Sequence, residues 1–242
     1  MTARRNSSRR VFWHNLFCMS DLGVGPLRRV LLIVPLVLCS ILALAQDDPT
    51  VIFKFHFPGS EPENYQIVVP MTGDALYTSD GKLTARSEND DVKVPFKLTD
   101  ATRSRIFDLA KKAGFFAQPL DSKKNVASTG EKTLMYTDGR RNAAQTYNYS
   151  TNQSVQQLTQ IFEDLSTTME FGRRLDYYHH YQKLALDEEL KRMEDMQREN
   201  SLAEVAAVAP IMNQIVTDST LINPVRARAQ RILAKAGVAT TQ

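Results

Sequence analysis

The stretch Val51-Ile52-Phe53-Lys54-Phe55-His56-Phe57 decides how this chain is read. Val51, Phe53, Phe55 and Phe57 fall on one side, and Ile52, Lys54 and His56 on the other. Successive side chains of an extended chain point to opposite faces, so this alternation predicts a strand with one face buried. The same period recurs downstream. Residues 65–69 and 75–78 read as two further strands, and Asp80-Gly81 supplies turn chemistry before residues 82–86. Residues 92–98 alternate Val92, Val94, Phe96 and Leu98 with Lys93, Pro95 and Lys97. Proline donates nothing to a ladder, which places that strand at an edge or at a bulge. Residues 132–137 and 143–149 flank Asp138-Gly139-Arg140-Arg141, a hairpin signal.

Two helices are interleaved with these strands. Thr99 is a cap for the first, Ile106, Leu109, Ala110 and Ala113 form its apolar stripe, and Gly114 ends it. Phe115 and Phe116, buried just beyond, would secure it to the sheet. A longer amphipathic helix is expected from Asn152 to Met169, with Val155, Leu158, Phe162, Leu165 and Met169 in one stripe. The fold class this predicts is α+β, an antiparallel sheet with helices on one face, followed by an all-helical tail.

The tail begins where the alternation stops. Residues 173–198 are helical and densely charged. Ser201-Leu202-Ala203-Glu204 fits a capping box, and Pro210 is expected to kink the segment that follows. Asn223-Pro224 opens the last helix and Gly237 closes it, so the tail ends in a helix hairpin. Its apolar stripes require cover, from the rest of the chain or from a partner. The division expected is a leader over 1–45, a sheet domain over 46–172 and a tail over 173–242.

The leader has the three parts of a secretory signal. Arg28 and Arg29 precede sixteen uncharged residues from Val30 to Ala45, and the small Ala43 and Ala45 precede polar Gln46. That run is shorter than the about 20 residues that span a bilayer, so cleavage between Ala45 and Gln46 is expected over a retained anchor. Ser8-Arg9-Arg10-Val11-Phe12 resembles a twin-arginine export core but lies far from the apolar run. Translation from Met19 gives a conventional short basic start. The protein is therefore expected to be exported, periplasmic or secreted, touching the membrane only through an uncleaved leader.

Removing the leader changes the charge argument. It holds six of the 30 basic residues and one of the 27 acidic ones, which leaves 24 against 26 from Gln46 onward. No basic stripe remains for a nucleic-acid backbone, and no nucleic-acid partner is expected. Both cysteines, Cys18 and Cys39, also lie in the leader, which excludes disulfides, thiolate metal sites and cysteine nucleophiles from the remainder.

Candidate chemistry is sparse. Asp176, His179 and His180 are the metal or acid–base candidates, but adjacent histidines on a helix point about 100° apart, whereas a helical ligand pair needs one full turn. A polar helix face is the reading preferred, with Tyr177, Tyr178 and Tyr181 packing their rings on the sheet or the terminal hairpin. Ser128 and Lys132 suggest a nucleophile pair without an orienting partner. There is no glycine-rich phosphate loop, no nucleophile elbow and no calcium-loop spacing. No cofactor and no catalytic residue is expected.

The segments KLTDATRSRIFDLAKKAGFF, TGEKTLMYTDGRRNAAQTYNYS and VQQLTQIFEDLSTTMEFGRRL, between Lys97 and Leu175, resemble a family of exported bacterial proteins of unknown function. The resemblance spans roughly residues 67–190 and implies an envelope location and a small α+β domain, with no active residue. The function expected is non-enzymatic: binding of an envelope protein or other macromolecule, or a structural role. The alternatives are an envelope hydrolase or lyase and a membrane-tethered structural protein.

Overall fold

The computed structural model describes residues 48–83, 87–88 and 90–238, all within the compact unit that starts at Gln46. The strands are β1 (Thr50–His56), β2 (Asn64–Pro70), β3 (Asp74–Ser79), β4 (Val92–Lys97), β5 (Glu131–Thr137) and β6 (Asn142–Tyr147). They form one sheet in the order β4-β3-β2-β1-β5-β6, every neighbouring pair antiparallel. The α+β architecture expected from the alternation is therefore present. Pro95 sits on β4, at the sheet's edge, as its missing N–H requires. Of residues 82–86, Lys82 makes an isolated bridge and residues 84–86 lie outside the described part.

Period two sorts the faces. Val51, Phe53, Tyr65, Ile67, Val69, Ala75, Tyr77, Leu134 and Tyr136 are buried under the helices. Helix α1 (Asp100–Lys112) begins at Thr99, whose hydroxyl accepts from the N–H of Thr102, and it ends in Lys111 and Lys112, which complement the helix dipole. Beyond it Gly114, Phe115 and Phe116 all adopt positive φ. This left-handed turn reverses the chain and buries Phe116 completely.

Helix α2 (Gln153–Tyr181) is capped by the Asn152 side-chain amide oxygen, which accepts from the N–H groups of Ser154 and Val155. It does not stop at Met169 but runs on for three more turns, through the expected boundary at 172 and 173. The apolar stripe continues with Phe171 and Leu175, and Gly172 between them serves a contact. A Cβ at Gly172 would lie 2.5 Å from Val208 Cγ1, so Gly172 lets the tail's backbone approach the middle of α2. A single turn, Lys183–Ala185, then separates α2 from α3 (Leu186–Arg198).

Helices α4 (Ala209–Thr217) and α5 (Asn223–Lys235) complete the tail. Pro210 does not kink a helix. It occupies the first turn of α4, where a missing N–H costs nothing. The capping box does not form either: residues 201–204 are irregular, Glu204 is left-handed, and a short turn Val205–Val208 leads into α4. Glu204 instead accepts from the Thr99 hydroxyl at 2.7 Å and its N–H at 3.2 Å, tying the tail to the start of α1. Asn223 is the first residue of α5 rather than its cap, with Pro224 in the first turn.

Two hydrophobic clusters result. The first lies between the sheet, α1 and the first half of α2, where the Phe53 and Phe162 rings stack at 5.0 Å. The second joins Phe171 and Leu175 of α2 to Leu190, Met193, Met212, Ile215, Ile232 and Leu233. The tail's apolar stripes are thus covered by α2 and by one another.

Candidate functional site

On the sheet face turned away from the helices, strand register assembles the side chains into rows. Ile52 lies opposite Val68 and Met135, Val68 opposite Leu76, Leu76 opposite Pro95, and Met135 opposite Ala144. One apolar row therefore crosses all six strands. Pro95 and Ala144 at its ends are exposed, and the four residues between them are partly exposed. None of the six belongs to the hydrophobic core, and among the described residues no helix packs on this face.

The next row is polar. Lys54 is opposite Gln66 and Thr133, Thr78 is opposite Gln66 and Lys93, and Thr133 bonds Thr146 through their hydroxyls at 2.8 Å. Two residues further on, His56 is opposite Asn64 and Glu131. The His56 ring meets the Asn64 amide oxygen at 2.6 Å, while Asn64 donates to both carboxylate oxygens of Asp80, at 2.9 Å from its N–H and 2.6 Å from its side chain. These rows floor an open basin of about 520 Å³ that also includes Asp91. Its lining holds cations, carboxylates and hydroxyls side by side, suited to hydrogen-bonding a polar chain.

A second concavity, about 400 Å³, lies along α2 and contains Glu163, Glu170, Arg174 and Arg192. Glu170, 5% exposed, accepts from the Tyr77 hydroxyl and the Ser79 hydroxyl, both at 2.8 Å, and from Arg173 at 2.7 and 3.0 Å. Arg173 spends its other donors on the carbonyls of Gly81 and Lys82, at 3.0 Å each. Every strong group of this cluster has a partner within the chain, which makes it a fastening of α2 to the end of β3. Burial, with the neighbouring Glu170 carboxylate, raises the Tyr77 hydroxyl above the usual tyrosine range. Glu163 lies further along, its carboxyl raised above the ordinary glutamate range by burial, with Lys132 opposing the shift.

The expected site residues, Asp176, His179 and His180, do not aim their polar atoms at one point. His179 meets Asp218 of the tail, just past α4, at 3.1 Å. His180 turns back to the Asp176 carbonyl at 2.8 Å, with the Asp176 carboxylate at 3.6 Å. The two rings meet edge to face with centroids 5.4 Å apart, but their nitrogens go to different partners. Asp218 is held well below the carboxylate range by Lys183 first, then Thr220, with His179 contributing least. Among the described residues no group of three or more histidine, cysteine or acidic side chains is placed to hold a metal. Tyr181 does not pack as expected, standing 76% exposed. Lys132 is committed to the Thr129, Gly130 and Asn148 carbonyls and the Thr129 hydroxyl, so it closes a loop and activates no serine. Ala43, Ala45 and Gln46 lie outside the described residues.

The signal for the apolar row was present in Ile52, Val68, Leu76 and Met135, but each reads by itself as one odd residue on a polar face. Only the register aligns them. No described helix is long and apolar enough to cross a membrane. The fold and surface define an antiparallel α+β protein whose sheet has one face left uncovered among the described residues. No known protein family matches the chain, and no characterised protein is significantly similar to it.

Proposed function

We propose that the protein is an exported, non-enzymatic binding module of the bacterial envelope, and that the free face of the sheet is its working surface. The observation that carries this reading is the apolar row from Pro95 to Ala144, left open among the described residues beside a basin rich in paired donors and acceptors. Contiguous exposed apolar surface rimmed by polar groups is the usual form of a protein-binding site. The ligand class is an extended polypeptide, its side chains lying along the row and its backbone bonding Gln66, Thr78 and Thr133. Asp80, Asp91 and Glu131 in the same basin disfavour a phosphate backbone. A shallow surface of this kind suits binding better than catalysis, which needs an enclosed constellation. Because the tail covers its own stripes, it serves to hold α2 and is not the recognition element.

The test is affinity capture from envelope extract with the native protein, an Ile52→Glu/Leu76→Glu double variant and an Ala101→Glu control on exposed α1. Capture should be lost only with the double variant, its melting temperature staying close to the native value. Equal capture by all three removes the sheet face as the binding surface. Export is checked by fractionation and mass spectrometry: a periplasmic species starting at Gln46 is expected, and an intact leader in the membrane fraction would replace that with an anchor.

A further inference from the structure

The two edges of the sheet are built differently. β4 reads Val92-Lys93-Val94-Pro95-Phe96-Lys97, and its proline and two lysines are the devices that stop an edge strand from pairing with another chain. β6 reads Asn142-Ala143-Ala144-Gln145-Thr146-Tyr147, with no charge and no proline. Among the described residues no strand lies beyond it. An unprotected edge presents a row of free N–H and C=O groups, a ready template for another strand.

The free window can be located. The Asp138 N–H donates to the Arg141 carbonyl at 3.1 Å, so residues 138 and 141 form a hydrogen-bonded pair of the β5–β6 hairpin. Bonded pairs alternate along an antiparallel ladder, which turns the backbone groups of Ala143, Gln145 and Tyr147 toward β5 and those of Asn142, Ala144 and Thr146 outward. The window closes at one end with the hairpin turn. It closes at the other where Asp121 takes the N–H of Asn148 at 3.1 Å.

That window is complementary to itself. We propose that two copies of this chain pair through β6, antiparallel, about a twofold axis at Ala144, to make one continuous twelve-stranded sheet. In this register Ala144 faces Ala144, small side chains on the twofold itself, and Asn142 faces Thr146 of the second copy. Each bonded pair exchanges two hydrogen bonds, about six in all. No like charges meet: Arg140 falls opposite Asn148 of the second copy, beside the carboxylate of Asp121. The twofold lies perpendicular to the sheet, so both free faces turn the same way. Ala144 ends the apolar row in each copy, and pairing joins the two rows into one stripe of about 50 Å at the normal strand spacing. The occupant favoured over an unrelated peptide is therefore the second copy. The proposal does not depend on what the free face binds.

The contact is short, so association is expected in the micromolar range, at the weak end of specific interfaces. Sedimentation equilibrium of the full chain from low to high micromolar concentration should show a monomer–dimer equilibrium. Ala144→Pro removes an outward N–H and leaves the bonds to β5 intact, and Ala144→Lys sets two ammonium groups face to face. Each should raise the dimer dissociation constant by at least about tenfold, with circular dichroism confirming the fold. With Cys18→Ser and Cys39→Ser, Ala144→Cys should oxidise to a covalent dimer, since a bonded pair spans about 5.5 Å between Cα atoms, within disulfide reach. Asn142→Cys should not cross-link alone but should do so when combined with Thr146→Cys. A native chain that stays monomeric, a dimer that survives both folded Ala144 variants, or cross-linking in another register overturns the proposal.

Discussion

The two halves of α2 lie in surroundings built on different principles. Its first half sits on a sheet whose inward face is set by period-two alternation, and Val155, Leu158, Phe162 and Leu165 meet Phe53 and its neighbours through apolar contact. Its second half is also apolar toward the tail, but it is fastened by ions. Glu170 holds Arg173, Arg174 holds Glu189 at 2.6 Å, and further out Arg228 bridges Asp187 and Glu194 while Arg231 joins Glu194 at 2.9 Å. The difference lies in what specifies position. A sheet face has its register imposed by side-chain alternation, since a one-residue slip exposes every core residue. Helices sliding on helices lack that check, and directional charge-assisted bonds supply it.

The largest effect tests whether the halves are separable. Ending the chain at Gly172 removes Arg173 from a buried Glu170, strips Val208 from α2 and exposes Phe171. Urea denaturation should lose its cooperative transition, although residues 46–172 read from the sequence as a sheet domain separate from the tail. A sharp transition with an unchanged midpoint would show the tail to be an appendage.

Glu170→Ala comes next. It leaves Arg173 (8% exposed) without its carboxylate and frees the Tyr77 and Ser79 hydroxyls in the interior. Breaking one partner of a buried pair costs about 3–5 kcal/mol, measurable by urea melting. Replacement of an exposed carboxylate such as Asp195 should stay within about 0.5 kcal/mol. A cost for Glu170→Ala as small as that would show apolar contact to be sufficient in both halves.

Gly172→Ala has opposing terms. Alanine is favoured over glycine inside a helix by about 1 kcal/mol, but the new methyl would stand 2.5 Å from Val208 Cγ1. Overpacking of that kind costs about 1–3 kcal/mol, so net destabilisation is expected, and a combined Val208→Ala should relieve it. Stabilisation by Gly172→Ala alone would mean that the tail is free to shift.

The smallest effect concerns Glu163. Burial raises its folded-state pKa, so the folded protein favours the neutral carboxyl more than the unfolded chain does. Stability from this group is fully present below the unfolded value, about 4.3, and is lost as pH rises through the raised folded value. Glu163→Gln should therefore match the native protein in acid and exceed it slightly at neutral pH. A variant with the opposite pH trend would place Lys132 in control of that carboxylate.

Much of the architecture was legible residue by residue. Thr99 and Gly114 bracketed α1, Pro95 marked an edge, and Asp138-Gly139 marked a hairpin, because each acts through its own backbone. The errors share one cause. The helix from Asn152 read as ending at Met169, and Ser201–Glu204 read as a cap, because local chemistry was the only partner in view. The actual partners were Val208, 36 residues from Gly172, and Thr99, 105 residues from Glu204. The candidate site was missed in the same way: Ile52, Val68, Leu76 and Met135 are unremarkable until strand register aligns them.

By itself the order of residues determined which segments extend, which coil, and which side of each is apolar, since those follow from sterics and side-chain spacing within a few residues. It did not determine that β5 would insert beside β1, leaving protected β4 and unprotected β6 as the two edges. Strand order is decided by pairings between segments far apart in the chain, where many arrangements bury the same apolar faces. Only the assembled sheet and tail distinguish them, through close approaches such as Val208 on Gly172 and through buried ties such as Glu170 on Arg173.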